Sequence, residues 1–439
     1  MDENITTFSN DQNDASKHSW NKIFYGVPGT GKSHIVKERT DRQEVIRTTF
    51  HPDTDYSTFV GCYKPTMKSK EPIYDLEQLK EKLLKIKNSE SPCDYLKFGT
   101  KYWESLKKLS NNDIKDLSTA CGIKDMSDEI SKGIAIGQEF LNYAEDGKIV
   151  YSFTPQAFIK AYVKAWKFYA IAANEGKKPE KQYLIIEEIN RGNCAQIFGD
   201  LFQLLDRDDT GFSKYHITPD EDIKKYLETV FNIKNFDTKK MVYLNAPDIY
   251  GTNYSGETAV KIRNGEILAL PPNLYIWATM NTSDQSLFPM DSAFKRRWEW
   301  ECVPIDYNNP DSAKFTITIG DKNYNWHEFL KAVNEKIVKA TDSEDKQMGN
   351  FFVNSNVSER QFVDKVMFYL WNDICKEEFH TNNNLFRYYS DNGKTDTAEF
   401  SFNDLFGSNS THLLQKFMDF IGVTPENAAE ETANNSEER

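Results

Sequence analysis

Short apolar runs alternate with polar, glycine-bearing segments along the first three hundred residues, and this rhythm predicts most of the core elements. Ile23-Phe24-Tyr25 marks a first strand over Lys22–Tyr25, followed by a glycine-rich turn and a helix-compatible stretch, His34–Glu38. Val45–Phe50, rich in β-branched and apolar residues, predicts a second strand. Tyr183-Leu184-Ile185-Ile186 predicts a third, Leu274–Met280 a fourth and Trp298–Val303 a fifth. Continuous rather than alternating apolarity suits strands covered on both faces, as in a parallel sheet. Phe158, Ile159, Tyr162, Val163 and Trp166 fall on one helical stripe, with Thr154 as its cap, Pro155 in the first helical position and Gly176 beyond its end. Asn193 caps a helix running through Leu205, and Met290–Arg297 forms a short helix entering the last strand. The fold class this predicts is α/β, with a parallel five-stranded sheet.

Two stretches break the rhythm. Residues 66–148 carry amphipathic, lysine-rich helical patterns at Leu76–Ile86 and Trp103–Leu109, continuing over Asp113–Cys121 and Ser127–Glu145. They read as a helical insertion, and a lysine-rich face of this kind is ordinarily a solvated one. Residues 207–268 are polar and turn-rich, and read as a second insertion with room for a hairpin. From 309 to 422 the pattern is mostly helical, clearest at Trp326–Ala340, Glu359–Phe379 and Thr411–Ile421, which predicts a C-terminal helical lid after a core over 20–308. Residues 1–19 read as a flexible lead-in and 423–439 as a disordered acidic tail.

Composition narrows the class without changing this outline. A chain of 439 residues holds two or three domains with real cores. The net charge of −13 argues against a surface that is a nucleic-acid footprint throughout. No window approaches the ~18 consecutive apolar residues of a membrane span, and Met1–Asn21 has no apolar core for a signal peptide. The expectation is a cytoplasmic protein without a membrane partner. The cysteines, at 62, 93, 121, 194, 302 and 375, show no C-x-x-C spacing, and reduced thiols are the better reading.

The chemistry begins in the first turn. Gly26-Val27-Pro28-Gly29-Thr30-Gly31-Lys32-Ser33 is a complete G-x-x-x-x-G-K-[ST] loop between a strand and a helix. Its glycines let successive N–H groups turn onto a phosphate, and the helix that follows adds the positive end of its dipole. Lys32 is placed to reach the β- and γ-phosphates, and the Ser33 hydroxyl to join the shell of Mg2+. The third strand ends in Glu187-Glu188, at the edge where parallel sheets bind ligands. Glu187 is assigned to Mg2+, directly or through water, and Glu188 to the attacking water. The fourth strand ends in Asn281-Thr282-Ser283-Asp284, where Asn281 either senses the γ-phosphate and holds the water or simply caps a turn. Arg191 faces a neighbouring subunit's nucleotide or is a plain surface arginine; spacing does not separate the two. Arg296-Arg297 are candidate arginine fingers, although arginines at a helix end are also favourable with the dipole. His51, in Phe50-His51-Pro52, is better read as structural than as a ligand or base.

Taken together these residues resemble the McrB type of AAA+ nucleotide hydrolase, the motor of modification-dependent restriction systems. Phe50-His51-Pro52 with Tyr56, Phe59 and Gly61 is similar to the family's segment after its second strand. Leu184–Asn193 resembles its Walker B block, and Met280-Asn281-Thr282-Ser283-Asp284-Gln285-Ser286 its M-N-T-x-D-x-S signature. Ala293–Trp298 resembles its arginine segment, and Asp345–Phe352 a lid motif. The likeness covers roughly 20–65, 150–206 and 266–380.

The resemblance implies a P-loop hydrolase that assembles as a homo-oligomer, a hexameric ring with nucleotide at each interface. It implies GTP rather than ATP as substrate, a McrC-like nuclease as partner, and a role in restricting foreign DNA. Three residues depart from the pattern: Glu187 stands where the family usually has Asp, Gln285 where arginine is common, and Asn350 in place of a usual histidine. The motor pattern begins near residue 20, leaving no room for a leading DNA-recognition domain. DNA specificity, if any, is then expected in the 66–148 insertion, in a partner, or in sequence outside this chain. The rival readings are a MoxR-like or dynein-like protein-remodelling ATPase and a nucleotide-gated scaffold with little turnover.

Overall fold

The computed structural model describes residues 20–67, 75–86, 92–107, 109–123, 127–141, 149–175, 177–231, 256–283, 288–375, 385–390 and 394–426. The lead-in over 1–19, the tail beyond 426, the middle of the second insertion and Asp284-Gln285-Ser286 lie outside them. The chain divides into two compact units, one formed by 1–54, 185–195 and 276–439, the other by 55–184 and 196–275.

The first strand, β1 (Asn21–Gly26), is followed by α1 (Lys32–Arg39) and β2 (Glu44–Thr49). Tyr56–Phe59 forms the short helix α2, capped reciprocally by Asp55 and Thr58. The first insertion leaves on β3 (Gly61–Met67) and returns on β4 (Ile149–Pro155), which pair antiparallel with Gly61 opposite Pro155 and Met67 opposite Ile149. Between them lie α3 (Leu76–Leu84), α4 (Pro92–Lys101), α5 (Trp103–Leu106), α6 (Asn111–Ala120) and α7 (Ser127–Leu141). They enclose a core of their own, built on Leu79, Leu83, Tyr95, Phe98, Leu106 and Ile130 among others. Two glycines set how closely α4 and α7 approach: a Cβ on Gly99 would lie 2.2 Å from the Ile130 oxygen, and one on Gly133 2.2 Å from the Leu96 oxygen.

The pairing of β3 with β4 corrects one expectation. Thr154 and Pro155 do not open a helix but close a strand, and α8 (Ala157–Glu175) begins two residues later, with Lys160 N–H bonded to the Gln156 carbonyl. A Thr-Pro step serves a strand end as well as a helix start, because proline's missing N–H is harmless at the edge of a two-stranded ribbon. Phe158, Ile159, Tyr162, Val163 and Trp166 are all buried on α8. The Trp166 indole donates to the Ala269 carbonyl at 3.0 Å.

β5 (Gln182–Glu187) leads through a single 3-10 turn into α9 (Cys194–Phe198), and the helical path continues as a 3-10 stretch to Leu205. The described parts of the second insertion hold turns with isolated β-bridges, Arg207 to Ser213 and Ile217 to Leu268, and two helices, α10 (Glu221–Phe231) and α11 (Gly256–Arg263). Then come β6 (Leu274–Asn281), the short α12 (Ser292–Lys295) and β7 (Glu299–Cys302). The sheet order is β2-β5-β6-β1-β7, and β1 runs parallel to both neighbours, with Gly26 opposite Asn281 and Lys22 opposite Glu299. Leu184, Ile185 and Ile186 of β5 and Leu274, Ile276 and Ala278 of β6 have no exposed surface, as strands covered on both faces require.

After the sheet the first unit adds a region with a separate core. It holds the hairpin β8 (Thr316–Ile319) with β9 (Lys322–Asn325), α13 (Trp326–Thr341), a helical segment over 359–375 wound largely as π-helix, the small ribbon β10 (Arg387–Tyr389) with β11 (Thr397–Glu399), and α14 (Ser410–Ile421). Trp326, Phe329, Leu330, Phe362, Leu370 and Phe417 are among its fully buried side chains. The helices fall where the periodicity puts them, and the two short ribbons stand beside them. Among the described residues no helix is long and apolar enough to cross a membrane.

Candidate active site

The site is built on the C-terminal ends of β1, β5 and β6. Buried Ile23 and Phe24 carry β1 into the loop, which turns through positive φ at Gly29 (83°) and Gly31 (86°) before α1 starts. The Thr30 hydroxyl closes the loop on the Val27 carbonyl at 3.2 Å. The Lys32 ammonium is folded onto its own loop, donating to the carbonyls of Gly26 at 3.0 Å and Val27 at 2.8 Å. Burial lowers its pKa to about 8, against the opposing pull of the Glu188 and Glu187 carboxylates.

A second segment holds the loop from outside. The N–H groups of Gly349 and Phe351 donate to the carbonyls of Pro28 and Gly29 at 2.8 and 2.7 Å. This segment is pinned in turn. The Asn334 side chain exchanges two 2.9 Å hydrogen bonds with the Met348 backbone, and the Trp326 indole donates to the Asn350 carbonyl at 2.9 Å. Because carbonyls at 28 and 29 are bound to a fixed partner, the N–H groups on the other side of those peptides have a fixed direction. Asn350 itself is buried, its amide 3.4 Å from the Ser312 hydroxyl.

The two acids at the end of β5 diverge. Glu187 keeps to the strand: Ser33 Oγ donates to its Oε2 at 2.8 Å, the Thr279 hydroxyl donates to the same oxygen, and Arg47 of β2 forms an ion pair with Oε1. Glu188 adopts the left-handed conformation, φ 54°, uncommon for a residue with a side chain. That turn sends its carboxylate elsewhere. Oε1 accepts from Asn281 Nδ2 at 2.8 Å, and Arg191 Nε lies 3.6 Å from Oε2. Asn190 braces the pair by donating to the Asn281 carbonyl at 2.7 Å. The Ser33 hydroxyl and Glu187 carboxylate are hard oxygen donors of the kind Mg2+ takes, and Mg2+ typically needs one or two carboxylates with substrate phosphates completing its shell. The donor set fits that ion.

Thus Gly26–Ser33, Glu187, Glu188, Arg191 and Asn281 come together in one chain. Arg296 and Arg297 do not join them. They precede β7, whose first residue lies opposite Lys22, so they sit at the start of β1 while the loop sits at its end. At ~3.3 Å per strand residue the separation is about 15 Å. Arg296 is exposed, and the Arg297 guanidinium donates to the Ala293 carbonyl at 2.7 Å. His51 is exposed, its N–H bonded to the Thr54 hydroxyl. Sequence reasoning missed Thr279 and Arg47, and it singled out Asp345–Phe352 without the backbone bonds that Gly349 and Phe351 make to the loop. Thr279 left a signal, a polar residue inside an otherwise apolar strand, and it is 2% exposed.

Comparison with known proteins agrees with this geometry. The chain is 30% identical over 373 residues to a protein of Bacillus subtilis strain 168 named type II restriction enzyme BsuMI component YdiS, covering 81% of this chain and 79% of that one. The chain belongs to the McrB-like AAA+ proteins of restriction systems. A shorter match, 24% identical over 151 residues, reaches the EcoKMcrB subunit of a type IV methyl-directed restriction enzyme of Escherichia coli K12, covering 34% of this chain and 24% of that protein. No protein-family profile matches the chain. An AAA+ core of the P-loop NTPase class is therefore the frame for the site above.

Proposed function

We propose that this chain hydrolyses a nucleoside triphosphate, GTP in preference to ATP, as one subunit of a hexameric ring, and that the cycle drives a McrC-like nuclease partner in restriction of foreign DNA. The observation that carries the reading is the division of labour at the end of β5. Glu187 is turned to the Ser33 hydroxyl, and Glu188 is turned the other way, to Asn281.

Lys32 exchanges the carbonyls of Gly26 and Val27 for the β- and γ-phosphates, and the loop N–H groups cradle the same oxygens. Ser33 and Glu187 would hold Mg2+, which when bound would neutralise phosphate charge. Glu188 accepts a proton from the attacking water, and Asn281 fixes both the carboxylate and the water's direction. Arg191 pairs with the Glu188 carboxylate and holds it in place. Arg296 and Arg297, remote from the loop of their own chain, act on the nucleotide of the next subunit, which is the physical reason for a ring. The restriction role rests on the two named relatives. The sites proposed for DNA contact are the 66–148 insertion, the partner, or sequence outside this chain.

The test is turnover of GTP and ATP by the purified chain, alone and with the nuclease-type protein of its system, beside Glu188→Gln. The reading expects GTP turnover stimulated by the partner and abolished by the substitution. Turnover of neither nucleotide under either condition contradicts it.

A further inference from the structure

The ion pair between Arg47 and Glu187 has no part in that mechanism. Arg47 lies within β2, and its side chain is 37% exposed against 14% for Glu187. Its guanidinium meets Oε1, while Oε2 takes the hydroxyls of Ser33 and Thr279. Both oxygens of the carboxylate assigned to the metal side are thus engaged, and its charge is balanced by a cation of the chain itself. A carboxylate bound to a guanidinium presents less negative charge to a divalent ion, so the two cations compete. Arg47 also has space into which it can withdraw. It lines an open cleft of about 640 Å³ together with Ser33, Lys37 and Arg42. Lys37 and Arg42 oppose its withdrawal there, and the Asp41 carboxylate of the same cleft, 3.5 Å from Arg42, offsets them in part, so the Glu187 pairing holds until another cation replaces it.

We propose that Arg47 is an internal counter-ion that occupies Glu187 until metal and nucleotide arrive, and that its displacement sets the metal concentration at which the site loads. The inference rests on the assignment of Glu187 to the metal side. Arg47 acts as a positioning residue through Glu187 and touches no substrate.

The test uses the full chain with non-hydrolysable GTP and ATP analogues in turn, and Mn2+ as the metal probe, its free fraction followed by electron paramagnetic resonance. Arg47→Gln removes the competing charge and is expected to lower the Mn2+ concentration for half-loading about three- to tenfold. Arg47→Lys, which keeps a charge and loses the fork, falls between wild type and Arg47→Gln. Thermal melting is read on the same samples, and if Arg47→Gln does not fold, the Arg47→Lys shift decides. An unmoved or raised midpoint in a folded variant overturns the role of Arg47 alone. A wild type that loads no metal beside either analogue overturns the metal assignment of Glu187 together with it.

Discussion

Gly349 is where the link between the region after the sheet and the phosphate loop is most exposed to a single methyl group. A Cβ built there lies 2.2 Å from the Gly29 carbonyl carbon and 2.4 Å from the Thr30 nitrogen. Both are backbone atoms of the loop, so no side chain can rotate away. Gly349 is not among the glycines with positive φ, so alanine is acceptable to its backbone and the clash acts alone. Relief requires the segment and the loop to part, stretching the bonds from Gly349 and Phe351 to the carbonyls of Pro28 and Gly29. Two such hydrogen bonds contribute about 1 kcal/mol each, and overpacking of this kind costs about 1–3 kcal/mol. Gly349→Ala should therefore lower the melting temperature by several degrees, at about 2–4 °C per kcal/mol. It should also weaken nucleotide binding by about ten- to thirtyfold, since about 1.4 kcal/mol is a factor of ten. Titration with a fluorescent nucleotide and a thermal melt read both effects. Wild-type affinity together with a wild-type melt would refute the view that this segment fixes the cradle.

Other perturbations separate the remaining residues. Glu188→Gln should reduce turnover by about 10²–10⁴-fold while nucleotide binding, measured by calorimetry, stays near wild type. Asn281→Ala should also slow turnover with little change in binding, because the side chain it removes bonds the acting carboxylate. Lys32 has its pKa lowered to about 8 by burial, so it is charged below that value and neutral above it. Nucleotide affinity in the free chain should be full below pH 8 and fall as pH rises through it, in binding titrations from pH 6.5 to 9.5. Mixing Lys32→Ala with Arg296→Ala/Arg297→Ala chains, each inactive alone, should restore part of the turnover, because each supplies the half-site that the other lacks.

What could be read in the sequence follows from where function sits in an α/β fold. Residues at the ends of strands buried on both faces stand out, because Glu187, Glu188 and Asn281 interrupt apolar runs that have no solvent-facing reason to stop there. The glycine spacing of the loop is a direct record of its backbone. The β3–β4 ribbon left no such record, since its partners are more than eighty residues apart and pairing at that distance is not encoded in local periodicity. Thr154-Pro155 misled for the same reason. Arg47 sits among Val45, Ile46, Thr48 and Thr49, a pattern that any edge strand of the sheet would show. The contacts of Gly349 and Phe351 are made by backbone N–H groups, which every residue except proline carries, so no side chain announces them.

The central claim is that the two acids have separate duties within one hydrolysis site. Its most direct test is single-turnover hydrolysis of radiolabelled GTP and ATP by wild type, Glu187→Gln and Glu188→Gln, with the nuclease-type protein of the system present and the metal concentration varied. Raised metal is expected to rescue Glu187→Gln in part and to leave Glu188→Gln inactive with nucleotide bound. Equal rescue of both variants, or wild-type turnover in Glu188→Gln, would contradict it.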